Sequence, residues 1–560
     1  MFKKNESYRQ WDIFAVNRSL NKNQQKLWNK SREHSFFTEI FCKIDESLFS
    51  VLYSNKKSRP NTPVNQLVGA LILKHLNNWT YSELFTNLNF NLLTRHALGI
   101  NTIDAEVFCE ASIFNFQNKL LEHLTTTNED LMEKVFCQLT AEQIEAWDIN
   151  TSVQRGDSFL VGSNIVDYSQ LHLLVETLNR LRRILTDEDK EQLDEELKRY
   201  TQYSSSNYVF QVKKEALNRE LEQIGRLYVR IHAELDAQVY EHRKAYMTFK
   251  RVMEEHFEIG PIDKIEVKSL QELGSGRLMS PDDSEATFRD KHGQGSKGYV
   301  THISETVNPE NKVNLITDVT TQRNNMGDAE ILENRLPLMI DRTPDLAEYF
   351  ADGLYGSPSI DQFTEAAGIT MYQKTTRGRK SSAEIKVVED EASRIWVSCK
   401  GGQRIQAQSA KKRFKAEFDP KHCGECPYQS ECKLRESGGK RKEKTKVTYF
   451  YYEKVLVHKR LANIEKLKGK KRHSRSNVEA TVKEMKRGMK NGKVRVRQWS
   501  RVSLHMILTA LSINFTRIHK NSAQIVHFFS VRLCNLRHLS SPNIRSIGRN
   551  LVKFQRMKCA

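Results

Sequence analysis

The stretch Tyr349-Phe-Ala-Asp-Gly-Leu-Tyr-Gly-Ser-Pro-Ser359 constrains the fold more than any other. Tyr349 to Ala351 are apolar enough to end a short buried strand, and Gly353 to Gly356 spell a tight turn. Ser357 is a good N-cap and Pro358 suits a first helical position. The pattern predicts a helix to about Ala367, a stop at Gly368, and a second strand over Ile369-Thr-Met-Tyr372. Strand, turn, helix and strand in that order imply a parallel pair in an α/β sheet. Asp352 then stands at the carboxyl end of a strand, where open sheets place their chemistry. It reads either as a metal-binding carboxylate beside two glycines or as an aspartate that caps its own turn.

Around this unit the chain has room for two to four domains in its 560 residues. Residues 1–140 read as a helical domain. Thr62 to Leu76 has a capped start and an apolar face, and a second helix begins near Thr80 after Asn77-Asn-Trp79. Short helices joined by tight polar turns suit a helix-turn-helix-like DNA module, and equally a plain bundle. Trp147 to Gln154 and Ser158 to Val161 read as two strands with Asp157 between them. Residues 170–258 return to helical periodicity and predict two or three long amphipathic helices, broken at Thr186–Asp189 and Tyr203–Asn207. They form a helical insertion in an α/β domain or, alternatively, a coiled-coil dimer contact. Tyr299 to Thr306 and Val313 to Thr320 read as a hairpin leading to the Asp352 strand. Residues 375–447 form a second, basic insertion, and 521–560 a basic C-terminal tail.

The formal charge of +19 favours a polyanionic partner, nucleic acid first and an acidic membrane surface second. The N-terminus carries no signal-peptide core, and the apolar run Val502 to Phe515 is too short to span a bilayer. Nine scattered cysteines argue against a secreted disulfide framework, so a cytoplasmic location is expected.

The basic stretch 437–500, with Lys and Arg outnumbering acids by roughly four to one, contains a helix from Arg475 to Met489. Val478, Val482, Met485 and Met489 make one apolar stripe. Arg475, Glu479 and Lys486 line the neighbouring face, as ordinary surface ion pairs or as a cation ligand between two phosphate-binding bases. Three acids on separate elements, Asp157, Asp352 and Glu479, match what two-metal phosphoryl transfer requires. Asp148, Asp318 and Asp328 are rivals, with Asp328 read as structural. Cys399, Cys423, Cys426 and Cys432 form a Cys-x2-Cys knuckle with two partners, read as a structural Zn²⁺ site or as reduced thiols in a small subdomain.

From about residue 35 to 518 the chain resembles bacterial insertion-sequence DDE transposases with an InsH-type helical N-terminal domain. Gln154 to Asn164 carries the first aspartate and Phe350 to Ser357 the second. Arg475, Glu479 and Lys486 fill three places of the family's Tyr-x2-Arg-x3-Glu-x6-Lys signature, while Arg472 occupies the tyrosine place. Lys297 to His302, Asn325 to Asp328 and Arg59 to Gly99 add weaker segments in the right order.

The resemblance implies an RNase H-like mixed-sheet catalytic domain over 141–520. Asp157, Asp352 and Glu479 would hold two Mg²⁺ (or Mn²⁺), and Arg475 and Lys486 would grip DNA phosphates. It implies cleavage and strand transfer on double-stranded DNA, at terminal inverted repeats and a target, by a homodimer at the DNA ends in the bacterial cytosol, nucleoid-associated and without a membrane partner. A nuclease of the same fold that does not join strands, or a catalytically inactive DNA-binding relative, are the alternatives.

Overall fold

The computed structural model describes residues 1–10, 14–56, 58–259, 265–291, 293–373, 385–437, 445–466 and 478–537. The protein is a mixed α/β structure. Near the N-terminus, helix α1 (Val64–Leu76) buries an almost continuous apolar run, and helix α2 (Tyr81–Phe90) starts on a complete capping box. There Thr80 accepts from the Glu83 amide, and the Glu83 carboxylate takes the Thr80 amide back.

The central sheet has six strands: β1 (Val153–Gly162), β2 (Thr287–Lys291), β3 (Gln294–Thr306), β4 (Ile316–Arg323), β5 (Glu348–Ala351) and β6 (Thr370–Gln373). Their order is β2-β3-β1-β5-β6, with β4 also pairing β3. β1 runs antiparallel to β3, with Arg155 opposite Glu305, and parallel to β5, with Arg155 opposite Phe350. The sheet is therefore mixed.

β1 is one ten-residue strand with Asp157 in its middle, not two strands flanking it. The Arg155-Gly-Asp segment looks like a turn in sequence, but Gly156 serves packing. A Cβ there would collide with the Tyr349 hydroxyl and lie 2.9 Å from His302 Cε1.

Between β1 and β2 lies a helical segment whose long helices are α3 (Gln170–Arg182), α4 (Leu217–Glu234) and α5 (Lys244–His256). Shorter helices separate them, because Thr186 and Ser204 are N-caps that start new helices and not mere breaks. Leu174, Leu178, Ile224, Tyr228 and Phe249 close a core within this segment. The stripes that suggested a coiled-coil contact are thus consumed inside the chain.

Helix α6 (Asp328–Arg342) follows β4, and helix α7 (Pro358–Ala366) connects parallel β5 and β6. Ser357 Oγ accepts from the Ile360 amide, Pro358 opens α7, and Gly368 closes the connection at φ +71°.

Between Ile385 and Phe450 two small antiparallel sheets, of three and four strands, pack on one another around Val387, Val397, Phe418 and Phe450. Helix α8 (Val478–Met485) and helix α9 (Trp499–Arg537) complete the described structure. α9 runs through residue 521, so no element boundary falls where the C-terminal tail was expected. Among the described residues no helix is long and apolar enough to cross a membrane.

The largest core joins both ends of the chain. Phe36, Val68 and Leu71 share it with Phe159 and Val161 of β1, Ile303 of β3, Val478 and Met485 of α8, and Met506 and Phe515 of α9. Phe36 meets Phe515 edge-on at 5.3 Å, and Ser512 Oγ donates to the Ile72 carbonyl at 3.2 Å.

Candidate active site

The parallel register of β1 and β5 organises the site. Val153, Gln154 and Arg155 pair in turn with Glu348, Tyr349 and Phe350. The offset between these partners is also the offset between Asp157 and Asp352, but the pairing ends at Arg155 and Phe350, and Asp352 lies one residue past the end of β5. In a pleated strand alternate residues share a face, so Arg155, Asp157 and Phe159 point one way and Gly156 and Ser158 the other. Paired residues of parallel strands point the same way, so Phe350 shares the face of Arg155 and Asp157.

Each aspartate is oriented by its own backbone. Asp157 Oδ1 accepts from the Ser158 amide at 2.8 Å, and Asp352 Oδ1 from the Gly353 amide at 2.7 Å. The second contact shows that Asp352 does cap its turn, the alternative reading of that residue, while remaining half-buried. One role does not displace the other, since a carboxylate has about four acceptor positions.

Helix α8 lies against β1 on this face. Val478 and Met485 are buried in the shared core, and Val482 and Met489 pack against it, as the stripe predicted. The segment after α8 is hydrogen-bonded to the end of β1: the Gly162 amide donates to the Gly492 carbonyl at 2.8 Å, and the Val494 amide to the Gly162 carbonyl at 3.0 Å. Lys486 Nζ sits 5.3 Å from the centre of the Phe159 ring. Burial lowers the Lys486 pKa, while the nearby Asp157 carboxylate opposes that shift.

Glu479 is on the first turn of α8 and exposed. Arg475 and Arg472 lie outside the described residues. Among the described residues, no three His, Cys, Asp or Glu side chains are grouped to hold a metal ion. Lys486 thus lies near Asp157, Asp352 lies just past the end of the neighbouring strand, and among the described residues Glu479 joins no three-carboxylate set.

Sequence reasoning missed the polar network beneath the aspartates. Glu305 is fully buried on β3. It takes Arg155 at 2.6 Å, Arg517 of α9 at 2.8 Å and Thr481 of α8 at 2.7 Å. Arg517 also bonds Glu484 at 2.8 Å, so one guanidinium ties α9, α8 and β3 together. An acid inside a strand opposite an arginine was the only trace in sequence, and it needs the β1–β3 register to be visible.

On the other face, His302, Ser158 and Tyr355 form a second network. Tyr355 Oη is 2.6 Å from Ser158 Oγ and 3.0 Å from His302 Nδ1. Burial pushes the His302 pKa down to about 4, so the ring is neutral at neutral pH. Through Tyr355 this network holds the turn that follows Asp352.

The rival acids have structural partners or no site. Asp318 is buried and held by Arg335 and by Arg342 at 2.9 Å. Asp328 pairs with Arg289 at 3.3 Å at the start of α6, as its structural reading anticipated. Asp148 is exposed at φ +49°, just beyond a helix end.

Cys399, Cys423, Cys426 and Cys432 line one cavity of about 300 Å³ beside His422 and Phe418. A Cβ on Gly401 would lie 2.6 Å from Cys426 Sγ and 3.7 Å from Cys399 Sγ, so only glycine fits between those thiols. All four are free thiols, and no three are drawn together as ligands. The zinc reading rests on their spacing and their shared cavity.

Comparison with protein families gives two matches. A transposase DDE domain matches residues 391–519, and a transposase domain (DUF772) matches residues 26–119. The first covers the four cysteines and Glu479 but leaves Asp157 and Asp352 outside; the second covers α1 and α2. No curated protein matches the chain. One match at each end, in the order in which the motifs were read, supports the family that those motifs resemble, the insertion-sequence DDE transposases.

Proposed function

We propose that this protein cuts and rejoins DNA at the ends of an insertion sequence, using an RNase H-like catalytic domain into which 170–258 and 375–447 are inserted. The observation that supports the reading is Asp157 within β1, near Lys486 of the α8 segment, with Asp352 just past the end of the parallel neighbour β5. Paired carboxylates are hard oxygen donors of the kind that Mg²⁺ prefers, so the residues present fit a divalent cation. Asp157 and Asp352 would hold it, with Glu479 reaching in from α8. When bound, such ions lower the pKa of an attacking water or hydroxyl and offset charge on the leaving oxygen.

The chain's own groups supply the rest. Lys486, kept on the Asp157 face by Phe159, offers a cation to a phosphate oxygen next to the scissile bond. Arg475, four residues before Glu479 in the sequence, would grip a neighbouring phosphate. Tyr355 and His302 hold the turn after Asp352, and Glu305 with Arg155 and Arg517 fixes α8 against β1. Double-stranded DNA, both element end and target, is the substrate. Strand transfer requires two ends, which favours a homodimer on DNA.

The test is divalent-metal-dependent cleavage and joining of a labelled duplex bearing the inverted repeats that flank the coding DNA. Asp157→Asn, Asp352→Asn and Glu479→Gln should each lower the rate at least about a thousandfold, about 4 kcal/mol in the barrier. DNA binding should persist in a gel shift, because neutralising one of several clustered carboxylates relieves repulsion. Asp148→Asn and Asp328→Asn are the controls and should cost much less. Cleavage without joining would favour a simple nuclease, and binding without cleavage by the wild type an inactive relative. If Asp352→Asn cuts at the wild-type rate, the assignment of the second aspartate is wrong.

A further inference from the structure

A second feature of the molecule lies off the carboxylate face. Between the N-terminal helices and the C-terminal α9 runs an open cleft of about 710 Å³. One wall is the end of α1 and the turn into α2; the other is the segment after α8 and the first turns of α9. The two walls touch at Gly488, where an added Cβ would lie 3.1 Å from Asn78 Oδ1. The cleft therefore opens within a few residues of Lys486.

Its charge is one-sided. Lys74, Arg487, Arg495, Arg501 and Lys520 line it. The single described carboxylate in the wall, Glu484, is already held by Arg517 at 2.8 Å. Among the described residues, none of Lys74, Arg487, Arg495 and Lys520 forms an ion pair. Lys74 is pushed below the usual lysine range first by burial and then by the charge of Arg495, while the Glu83 carboxylate of α2 lies within reach of Arg495. An anion entering the cleft would relieve the like-charge effect on Lys74.

The histidines at the bottom do not add to this charge. His75 Nε2 lies 3.1 Å from His505 Nδ1, and burial pushes the His505 pKa down to about 4. The wall also carries aromatic surface. Trp79, Tyr81 and Phe114 line the same cleft, with Lys74 Nζ 4.6 Å above the Tyr81 ring centre. Cations interleaved with aromatic faces are how proteins track a nucleic-acid strand, phosphates on the former and bases on the latter. A small inorganic anion would leave most of this volume and all of the aromatic surface unused.

We propose that this cleft is a DNA-binding site in its own right, holding the phosphodiester backbone of a strand between the N-terminal helices and α9, with Arg487 and Arg495 at its mouth. The proposal rests on the reading of DNA as substrate and adds a site separate from the carboxylates. It gives the N-terminal helices a function as one wall of a shared cleft and not as a detached reading head.

The experiment uses the full-length chain carrying Asp352→Asn, in chelator, so that binding is read without chemistry. The probe is a fluorescent duplex of arbitrary sequence ending in a single-stranded overhang, followed by anisotropy from about 50 to about 200 mM salt. Arg487→Glu with Arg495→Glu should weaken binding at least about tenfold and reduce the salt slope by about two. Arg219→Glu with Arg226→Glu, both exposed on α4, makes the same change in net charge and should do much less.

Equal losses in the two pairs would mean that only net charge matters, and would overturn the site. Should the double charge reversal not fold, as judged by circular dichroism, Arg495→Gln alone should reduce the slope by about one, and an unchanged slope would overturn the site equally. A wild-type protein that binds in this way yet never cleaves would strike the catalytic reading and leave the cleft standing.

Discussion

At Gly156 a missing side chain shapes the active site. The position sits in the middle of β1, between Arg155 and Asp157, where a Cβ would strike the Tyr349 hydroxyl of the neighbouring strand. That hydroxyl is not idle, since it lies 2.7 Å from Ser304 Oγ and 3.3 Å from His302 Nε2. Gly156→Ala must therefore displace Tyr349 or bow β1, and either shift propagates to the Asp157 and Asp352 pair. Overpacking of this kind typically costs about 1–3 kcal/mol. We expect Gly156→Ala to lose stability in that range in urea unfolding and to lose cleavage activity with it. Adding Tyr349→Phe should restore part of the stability, because it removes the nearest atom while leaving the ring, whose Cζ would lie 2.9 Å from the new Cβ. A Gly156→Ala protein as stable as wild type would show that the strand pair has slack there.

Among the elements, those set by local chemistry were legible and those set by partners were not. Ser357, Pro358 and Gly368 specify the start and stop of α7 without outside help, and β5, α7 and β6 follow the sequence signals closely. Thr80 with Glu83 starts α2 in the same way. Gly156, by contrast, resembles a turn residue until Tyr349 is known to need its space, which is why β1 was split in two. Thr186 and Ser204 read as interruptions because a cap and a break use the same residue types. Of the candidate site, the two aspartates and Lys486 were proposed from flanking motifs. Glu305 was not, because its partners come from three elements distant in sequence.

Helix α8 owes its position to that buried carboxylate. Arg517 reaches from α9 to Glu305, Thr481 and Glu484 together. Arg517→Met keeps the apolar stem but leaves Glu305, among the described residues, with Arg155 as its cationic partner, and frees Glu484. Removing one partner of a buried pair costs about 3–5 kcal/mol. We expect a stability loss near the lower end in urea unfolding, since Arg155 remains. A larger proportional loss of cleavage should appear at temperatures where the variant is still folded. A fall in activity no greater than the fall in folded fraction would mean that α8 finds its place without this clamp.

For the whole molecule the decisive fact is which elements share a core. The helical N-terminal region looks separable in sequence, yet Phe36, Val68 and Leu71 lie in one apolar cluster with β1, β3, α8 and α9. The segment α3 to α5 looks like part of the sheet domain by position, yet it closes a core of its own around Tyr228 and Phe249. Cooperative unfolding follows shared cores and not sequence neighbourhood. Phe36→Ala, at a fully buried position edge-on to Phe515, should cost about 3–5 kcal/mol. Because the core is shared, that loss should be felt at strands far from residue 36. Hydrogen exchange of the β3 amides should accelerate by about a hundredfold or more, in step with α1. Phe249→Ala removes an equally buried ring and should speed exchange in α3 to α5 while leaving β3 at its wild-type rate. If Phe36→Ala speeds exchange only in α1 and α2, the N-terminal helices fold as an independent unit, and the cleft they form with α9 is a docking seam and not part of one continuous core.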